Sequence, residues 1–207
     1  MRIWIHPVKQ WFIGQRLILG LLIISAALGF ESLAIAQVPL AVEYRVLATN
    51  KTSTMQKELN EAAEAGFRFQ AVMGGETAFG GSEVVSVTSR QGNTKSRYAY
   101  RLLATSKTST MQKELQEAAD EGFEYRGQTV FKSSFGGEEV ICILERDKDA
   151  DPQRFEYKLL ATSKTSTLEK ELSAAGAAGY QIVGMTVGKT ALGGKEVVAI
   201  TRRPKAQ

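Results

Sequence analysis

The stretch RVLATNKTSTMQKEL at residues 45–59 decides the fold, because the chain contains it three times. It returns as RLLATSKTSTMQKEL at 101–115 and as KLLATSKTSTLEKEL at 158–172. The first pair is identical at 13 of 15 positions and the second pair at 12 of 15. Identity at this level, at spacings of 56 and 57 residues, indicates duplication of one structural unit.

The aligned repeats set the domain boundaries of the chain. Polar segments separate the repeats and are predicted to be linkers. The predicted order is a lead at 37–43, repeat 1 at 44–90, a linker at 91–99, repeat 2 at 100–146, a linker at 147–156, repeat 3 at 157–203 and a tail at 204–207.

Each repeat has the pattern of a β-α-β-β unit. Alternation between Tyr44 and Thr49 predicts a first strand. Apolar residues at i, i+4, i+7 and i+8 then predict a helix with one buried stripe: Met55, Leu59, Ala62 and Ala63. A glycine follows the stripe where a left-handed helix cap is expected, at Gly66, Gly122 and Gly179. Two strands joined by a glycine hairpin complete the unit.

Hydroxyl residues precede each helix and predict its start. We expect the first helix to begin at Ser53 or Thr54. The pattern Ser-x-x-Glu at 166–169 is typical of a capping box, and Ser-x-x-Gln at 53–56 and 109–112 are its amide forms.

The third strand of each repeat is its most continuously apolar segment. Such a strand belongs in the middle of a sheet, which predicts the order 1-3-2 with strands one and two parallel. One helix covers only one face of this sheet, so the other face should meet a neighbouring repeat. The expected fold is therefore α+β, with three βαββ units in one compact body. Three separate beads on linkers are the alternative.

Several short motifs in the repeats resemble the bacterial domain-of-unknown-function 4177 family. In repeat 3 the matching stretches are EYKLL at 156–160, the helix segment 168–172, AGY at 178–180 and EVV at 196–198. The resemblance covers most of each copy. It implies a small βαββ fold with no established activity, and it transfers no catalytic residues.

The N-terminal 36 residues are typical of a secretory signal. Arg2, Lys9 and Arg16 precede an apolar run of 14 residues at 17–30, and Ala-Ile-Ala at 34–36 suits a signal peptidase. We expect cleavage after Ala36 and an extracytoplasmic location, periplasmic or secreted, in a bacterium. An uncleaved N-terminal anchor is the alternative; after cleavage no transmembrane span is expected.

Composition limits the chemistry of the remaining chain. The only histidine, His6, lies in the signal segment, and Cys142 is the only cysteine. Without further His or Cys, the mature chain lacks Ser-His-Asp and Cys-His catalysis, His/Cys metal cages and an internal disulfide. Cys142 lies in the apolar run 140–144, where it is expected to be a small buried residue. No metal or cofactor is expected.

The Thr-(Ser/Asn)-Lys-Thr-Ser-Thr segment before each helix is the most repeated polar element. Amide groups at a helix start, together with a lysine, suit an anion. The candidate anion-binding residues are Lys51, Ser53, Thr54, Lys107, Ser109, Thr110, Lys164, Ser166 and Thr167. Helix capping by the hydroxyls is the simpler explanation of the same residues.

Two features indicate contact with a partner. Apolar residues beside the hairpin glycines, Phe79, Phe135 and Leu192, could fold onto the core or meet a partner. The third helix has Ala174 and Ala177 where the first two helices carry acidic residues, which predicts packing against another unit, another subunit or a partner. The alternative is a diverging copy in which alanines are tolerated because they favour a helix. The repeats also differ in net charge, which is balanced in repeat 1, −2 over 100–146 and +5 over 157–207.

The function expected from the sequence is an exported, non-enzymatic binding or interaction protein. Its partner would be an unknown protein or an anionic envelope component. Nucleic acid is not expected, because the charge that remains after cleavage is small and no basic-aromatic module is present. The alternatives are a hydrolase or transferase with a site in an inter-repeat groove, and a structural subunit of a cell-envelope assembly.

Overall fold

A computed structural model of the protein describes residues 41–77, 81–132, 138–189 and 194–205. The described residues form three similar units of one strand, one helix and two further strands. In chain order the elements are β1 (Val42–Thr49), α1 (Thr52–Glu64), β2 (Arg68–Thr77), β3 (Gly81–Gln91), β4 (Tyr98–Thr105), α2 (Thr108–Asp120), β5 (Glu124–Lys132), β6 (Glu138–Asp147), β7 (Phe155–Thr162), α3 (Thr165–Ala177), β8 (Gln181–Lys189) and β9 (Lys195–Pro204). The predicted α+β class and threefold βαββ repeat are confirmed.

Each unit contains a three-stranded sheet with its last strand in the centre. The orders are β1-β3-β2, β4-β6-β5 and β7-β9-β8. All pairings are antiparallel, so the two outer strands of each sheet run parallel to each other. The apolar central strand is therefore hydrogen-bonded on both edges, as predicted.

The first helix has the predicted buried stripe, and all three helices have the predicted C-terminal glycine caps. Met55, Leu59, Ala62 and Ala63 are all buried in α1. Gly66 has a φ of 84°, Gly122 of 85° and Gly179 of 84°, and the backbone beyond each glycine turns back onto the last helical turn. A glycine is needed here because other residues are strained in this region.

The predicted capping boxes are wrong. The N-cap residues are Lys51, Lys107 and Lys164 in extended conformation, and none of the three helix starts has a side-chain cap hydrogen bond. The threonine that ends the preceding strand instead accepts the N–H of the lysine, at 3.2 Å between Lys51 N and Thr49 Oγ1. The glutamines assigned to the capping boxes point towards the next repeat.

The repeats pack so that the first two helices, α1 and α2, each lie between two sheets. Helix α1 contacts its own sheet and β4 of repeat 2, and α2 contacts its own sheet and β7 of repeat 3. The second strands also pack in series, β2 against β5 and β5 against β8. The second face of sheets 2 and 3 is thus covered by the preceding repeat. This confirms the expectation that the three repeats form one compact body.

The core clusters follow from this sharing. The stripe of α1 packs with Tyr100, Ile141 and Ile143 of repeat 2. The stripe of α2 packs likewise with Tyr157 and Ile200 of repeat 3. The cluster under α3 contains residues of repeat 3 alone and is the smallest of the three.

The helix caps at Gly66 and Gly179 allow the cost of backbone strain to be separated from the cost of steric overlap. A Cβ on Gly66 would overlap the carbonyl oxygen of Thr94, whereas a Cβ on Gly179 would meet nothing. Gly179→Ala should lower the free energy of unfolding by about 1 kcal/mol from backbone strain alone. Gly66→Ala should cost clearly more, as measured by urea denaturation.

Gly176→Ala is the matched control, because Gly176 is helical and a Cβ there also meets nothing. It should raise stability by up to about 1 kcal/mol, since alanine favours a helix over glycine. Equal losses for Gly66→Ala and Gly179→Ala would contradict the crowding at Thr94.

Candidate functional site

One tyrosine recurs in the first strand of each repeat, and its exposure differs sharply between copies. Tyr100 is 4% exposed and Tyr157 is 3% exposed, but Tyr44 is 69% exposed. Tyr100 and Tyr157 lie under the helix of the preceding repeat, whereas Tyr44 belongs to the first repeat. The tyrosine therefore lies on the surface through which repeats 2 and 3 contact the preceding repeat.

Helix amides make the junction between repeats 1 and 2. The side chain of Asn60 donates to the carbonyl of Tyr100 and accepts from its N–H, both at 2.9 Å. The side-chain oxygen of Gln56 accepts the N–H of Leu102 at 2.8 Å. These bonds satisfy the outward backbone groups of β4, an edge strand of its own sheet.

The junction between repeats 2 and 3 repeats this arrangement. Gln116 accepts the N–H of Tyr157 at 3.0 Å and donates to the carbonyl of Phe155 at 3.2 Å. Gln112 accepts the N–H of Leu159 at 2.7 Å and donates to the carbonyl of Tyr157 at 2.9 Å. Two polar residues one helical turn apart thus replace a neighbouring strand at both junctions.

The second strands meet through a ring placed over a glycine. A Cβ on Gly127 would lie 3.4 Å from the ring of Phe69. A Cβ on Gly184 would overlap the hydroxyl of Tyr125. The residue that faces the preceding repeat must be small because the residue opposite it is an aromatic ring.

Ion pairs cross both junctions at equivalent positions with reversed charge. Arg68 of repeat 1 donates to Glu145 of repeat 2, with Nη2 and Oε1 2.8 Å apart. Glu124 of repeat 2 accepts from Arg202 of repeat 3, with Oε1 and Nη2 2.7 Å apart. Arg126 lies between them, 3.5 Å from Glu145 and 3.9 Å from Glu124. One ionic network therefore joins all three repeats.

The buried tyrosine hydroxyls complete this network. The N–H of Phe69 donates to the Tyr100 hydroxyl, which donates to Glu145, both at 2.8 Å. Burial, together with the nearby Glu145 carboxylate, raises the pKa of Tyr100. At the next junction the N–H of Tyr125 donates to the Tyr157 hydroxyl at 2.8 Å, and burial raises the pKa of Tyr157.

A groove of about 380 Å³ runs over this network between the second strands. Arg68, Arg126 and Arg202 line it together with Glu124. All three guanidinium groups lie within ion-pair distance of Glu124 or Glu145. The charged side chains of the groove thus form the ion pairs that hold the repeats together, and their role is structural.

In the part of the chain that the structure describes, the two ends of the array carry the same surfaces without a neighbouring repeat. The head face is the side of sheet 1 that carries Val42, Tyr44, Val46 and Met73. The tail face is the part of repeat 3 that carries Ile182, Met185 and Val187 of β8 beside α3. Every large apolar side chain found exposed in the described ranges belongs to one of these two faces.

The polar groups of the two end faces also differ from those of the junctions. In α3 the two junction positions hold Glu169 and Ser173, and the Ser173 hydroxyl donates to the Glu169 carbonyl at 2.9 Å. The structure shows no helix amide opposite Tyr44 or Val46 within the residues it describes. Within those residues, no preceding helix bonds to the outward backbone groups of β1, which is an edge strand.

The sequence-predicted anion sites lie on the surface. Lys51, Lys107 and Lys164 are exposed, as are Ser53, Ser109 and Ser166 beside them. Thr54 and Thr167 are half-buried and Thr110 is exposed. Each helix start lies on a different repeat, and no described side chain caps it, so anion binding there stays a prediction.

The predicted partner contacts have different outcomes. Ala174 and Ala177 are exposed on α3. Phe79, Phe135 and Leu192 lie outside the described residues, as does the predicted signal segment 1–36. Cys142 is buried, and burial raises the pKa of its thiol to about 12. It is therefore a core residue, as predicted.

Comparison with family models, curated proteins and solved structures gives no match for this chain. The resemblance to the domain-of-unknown-function 4177 family thus stays a prediction. Among the described residues, none of the helices has the length and apolarity needed to cross a membrane. Nor do these residues group three or more His, Cys, Asp or Glu side chains as a metal site would require.

Sequence reasoning missed the junction residues, although the sequence carries two signals for them. Polar amides recur at i and i+4 on the helices, at 56/60 and 112/116, and they change to Glu169 and Ser173 in the last copy. The equivalent positions 68/124 and 145/202 carry opposite charges when they are read across adjacent repeats. Both signals become visible only when residues of different copies are paired.

The helix amides can be tested by comparing a junction with an end of the array. Asn60→Ala removes the bonds to Tyr100 and should lower the free energy of unfolding by about 2 kcal/mol. Ser173→Ala is the matched control, because Ser173 holds the equivalent position on α3 and bonds only within its own helix. Urea denaturation measures the free energy of unfolding of both variants. Equal losses for Asn60→Ala and Ser173→Ala would contradict a stabilising role of the Asn60 amide at the junction.

The raised pKa of Tyr100 predicts a loss of stability at alkaline pH. The folded state keeps the Tyr100 proton above the ordinary value of 10.0, whereas the unfolded chain loses it there. Stability is thus complete below that pH and declines above it, and Tyr100→Phe should make the decline shallower.

Urea denaturation at neutral pH and above pH 10.0 measures this decline. Tyr44→Phe is the control, because it removes an exposed hydroxyl, and it should keep the wild-type decline. A Tyr100→Phe decline as steep as that of the wild type would contradict the burial of the hydroxyl.

Proposed function

We propose that the chain is a non-enzymatic interaction protein that binds protein partners through the head face and the tail face. One observation carries this proposal: the large apolar side chains exposed among the described residues are confined to these two faces. Their counterparts inside the array, such as Tyr100 and Phe69, are buried at the junctions between repeats.

Physical chemistry favours a partner on such faces. Clustered apolar side chains on a protein surface mark interaction sites more often than scattered ones do. The head face also includes β1, an edge strand whose outward backbone groups can bond to another chain. Exposed apolar side chains and edge backbone groups therefore occur on the same strand.

An enzyme with a site in the inter-repeat groove has less support. The carboxylates of Glu124 and Glu145 are held by arginines, and Glu145 also accepts from Tyr100. A general acid or base needs a carboxyl that can exchange a proton with a substrate. These two carboxylates are instead engaged in holding the repeats together.

The proposed location is extracytoplasmic, and it rests on the composition of residues 1–36. Export would place the two faces where they can meet an envelope protein or the same protein again. A structural subunit of an envelope assembly is therefore one form of the proposed function.

Photo-crosslinking in the cells that make the protein tests this function. A photoreactive phenylalanine derivative replaces Tyr44 on the head face or Met185 on the tail face. Lys57, which is 76% exposed on the outer side of α1, is the control position. We expect a discrete protein adduct from positions 44 and 185 and none from position 57.

If neither position 44 nor position 185 gives an adduct, the proposed function is overturned. Equal adducts from all three positions would overturn it as well, because they would show only random encounters at the surface.

A further inference from the structure

We propose that the tail face of one copy binds the head face of a second copy of this chain, repeating the contact that joins adjacent repeats. The inference rests on the proposed function and adds the identity of the partner. The two internal junctions are the established interface, and the proposed contact would continue it from repeat 3 of one chain to repeat 1 of the next.

The head face has the residue types that the junctions bury. The sheet positions of Val42, Tyr44 and Val46 correspond to Tyr98, Tyr100 and Leu102 in repeat 2. The equivalent residues in repeat 3 are Phe155, Tyr157 and Leu159. Each set is apolar or aromatic at all three positions, so the residues of sheet 1 suit contact with a preceding repeat, and the described residues 41–77, 81–132, 138–189 and 194–205 contain none before it.

The side-chain sizes on the two faces are complementary. At the internal junctions a large ring, Phe69 or Tyr125, lies over a glycine. The equivalent residue on the tail face is the smaller Ile182, and the equivalent of the glycine on the head face is Ala71. Ile182 is smaller than the ring it replaces, and Ala71 is larger than the glycine by one methyl group. A contact between Ile182 and Ala71 would therefore fill about the same combined volume as a ring over a glycine.

The charges on the two faces are also matched. The internal junctions pair Arg68 with Glu145, and Glu124 with Arg202. At the equivalent positions the tail face has Gln181 and the head face has Ser89. A contact between two copies therefore pairs two neutral polar side chains and buries no unpaired charge.

A second charged pair changes in the same way. Lys205 of repeat 3 donates to Asp120 of repeat 2 at 2.8 Å. The equivalents at the ends are Ala177 on the tail side and Gly92 on the head side, and both are uncharged. Ala177 would thus lie in the interface, which gives a reason for its missing acidic group, whereas Ala174 corresponds to the exposed Glu117.

Hydrogen-bond groups are available at the corresponding places. Gln56 uses only its acceptor oxygen towards Leu102, and a carboxylate oxygen of Glu169 can accept the N–H of Val46 in the same way. The N–H of Ile182 holds the place of the Phe69 N–H, which donates to Tyr100, and can donate to the hydroxyl of Tyr44.

The geometry of such a contact determines the kind of assembly. The head and tail are different surfaces, so each copy keeps one unused head or tail after binding. A contact of this type produces a ring if the rotation closes and a filament if it does not. A dimer with two-fold symmetry, head to head or tail to tail, is the contrasting arrangement.

Complementation of two blocked variants of the full chain tests this proposal. Tyr44→Glu blocks the head face, Met185→Glu blocks the tail face, and Lys57→Glu is the control on an outer surface. In sedimentation velocity, the wild type and the control should form species larger than a dimer as concentration rises. Each blocked variant alone should stay monomeric.

An equimolar mixture of the two blocked variants should form a dimer and nothing larger, because it offers one intact tail and one intact head. A wild type that stays monomeric would overturn the proposal. So would a blocked variant that still dimerises alone, or a mixture that stays monomeric while circular dichroism shows both variants folded.

A charge pair copied from the internal junction tests the register. Gln181→Arg is added to the head-blocked chain and Ser89→Glu to the tail-blocked chain, which recreates the pair Arg68–Glu145. We expect this mixture to bind about tenfold more tightly than the parent mixture. Ser89→Arg in place of Ser89→Glu should weaken it, and equal affinities for the two would overturn the proposed register.

The cross-linking experiment separates this inference from the proposed function. An adduct from position 44 with the mass of two chains supports the second copy. An adduct with another protein, or within one chain to residues 1–40, overturns the second copy. The adduct with another protein leaves the proposed function standing, whereas absence of any adduct overturns both.

Discussion

The structure depends on two helices, α1 and α2, each of which packs against its own sheet and against the sheet of the next repeat. The apolar stripe of α1 packs on its own sheet, and the same helix covers the second face of sheet 2. Its polar side chains Gln56 and Asn60 bond to the edge of β4. A repeat of about 47 residues is too small to bury both faces of its sheet alone, so in repeats 2 and 3 the helix of the preceding repeat covers the second face.

This constraint explains why the two ends of the array differ from its middle. Among the described residues, sheet 1 has no preceding helix and α3 has no following sheet. Leu172 of α3 is accordingly half-buried, whereas its counterparts Leu59 and Leu115 are fully buried. The exposed apolar residues and the neutral residues Gln181 and Ser89 mark the same two ends. The two end faces thus correspond to the interface that joins adjacent repeats, which occurs twice inside the chain. The proposed function follows from the same interface.

The fold could be predicted because its signals lie within one repeat. Threefold identity, the stripe at Met55 and Leu59, and the glycine at position 66 specify a β-α-β-β unit, and the apolar third strand specifies the strand order. The junctions could not be predicted in this way, because Arg68 and Glu145 lie 77 residues apart and meet only after the repeats stack. The capping boxes of the first two helices failed for a related reason: Gln56 and Gln112 bond to the next repeat and not to their own helix starts.

Residue-resolved hydrogen exchange on dilute protein tests most directly whether a preceding helix protects each first strand. We expect strong protection of the Tyr100, Leu102, Tyr157 and Leu159 amides, which bond to helix side chains. The amides of Tyr44 and Val46, at the same positions of β1, should exchange far faster. Equal protection at all three strands would show that sheet stability does not depend on the preceding helix, and would contradict the account.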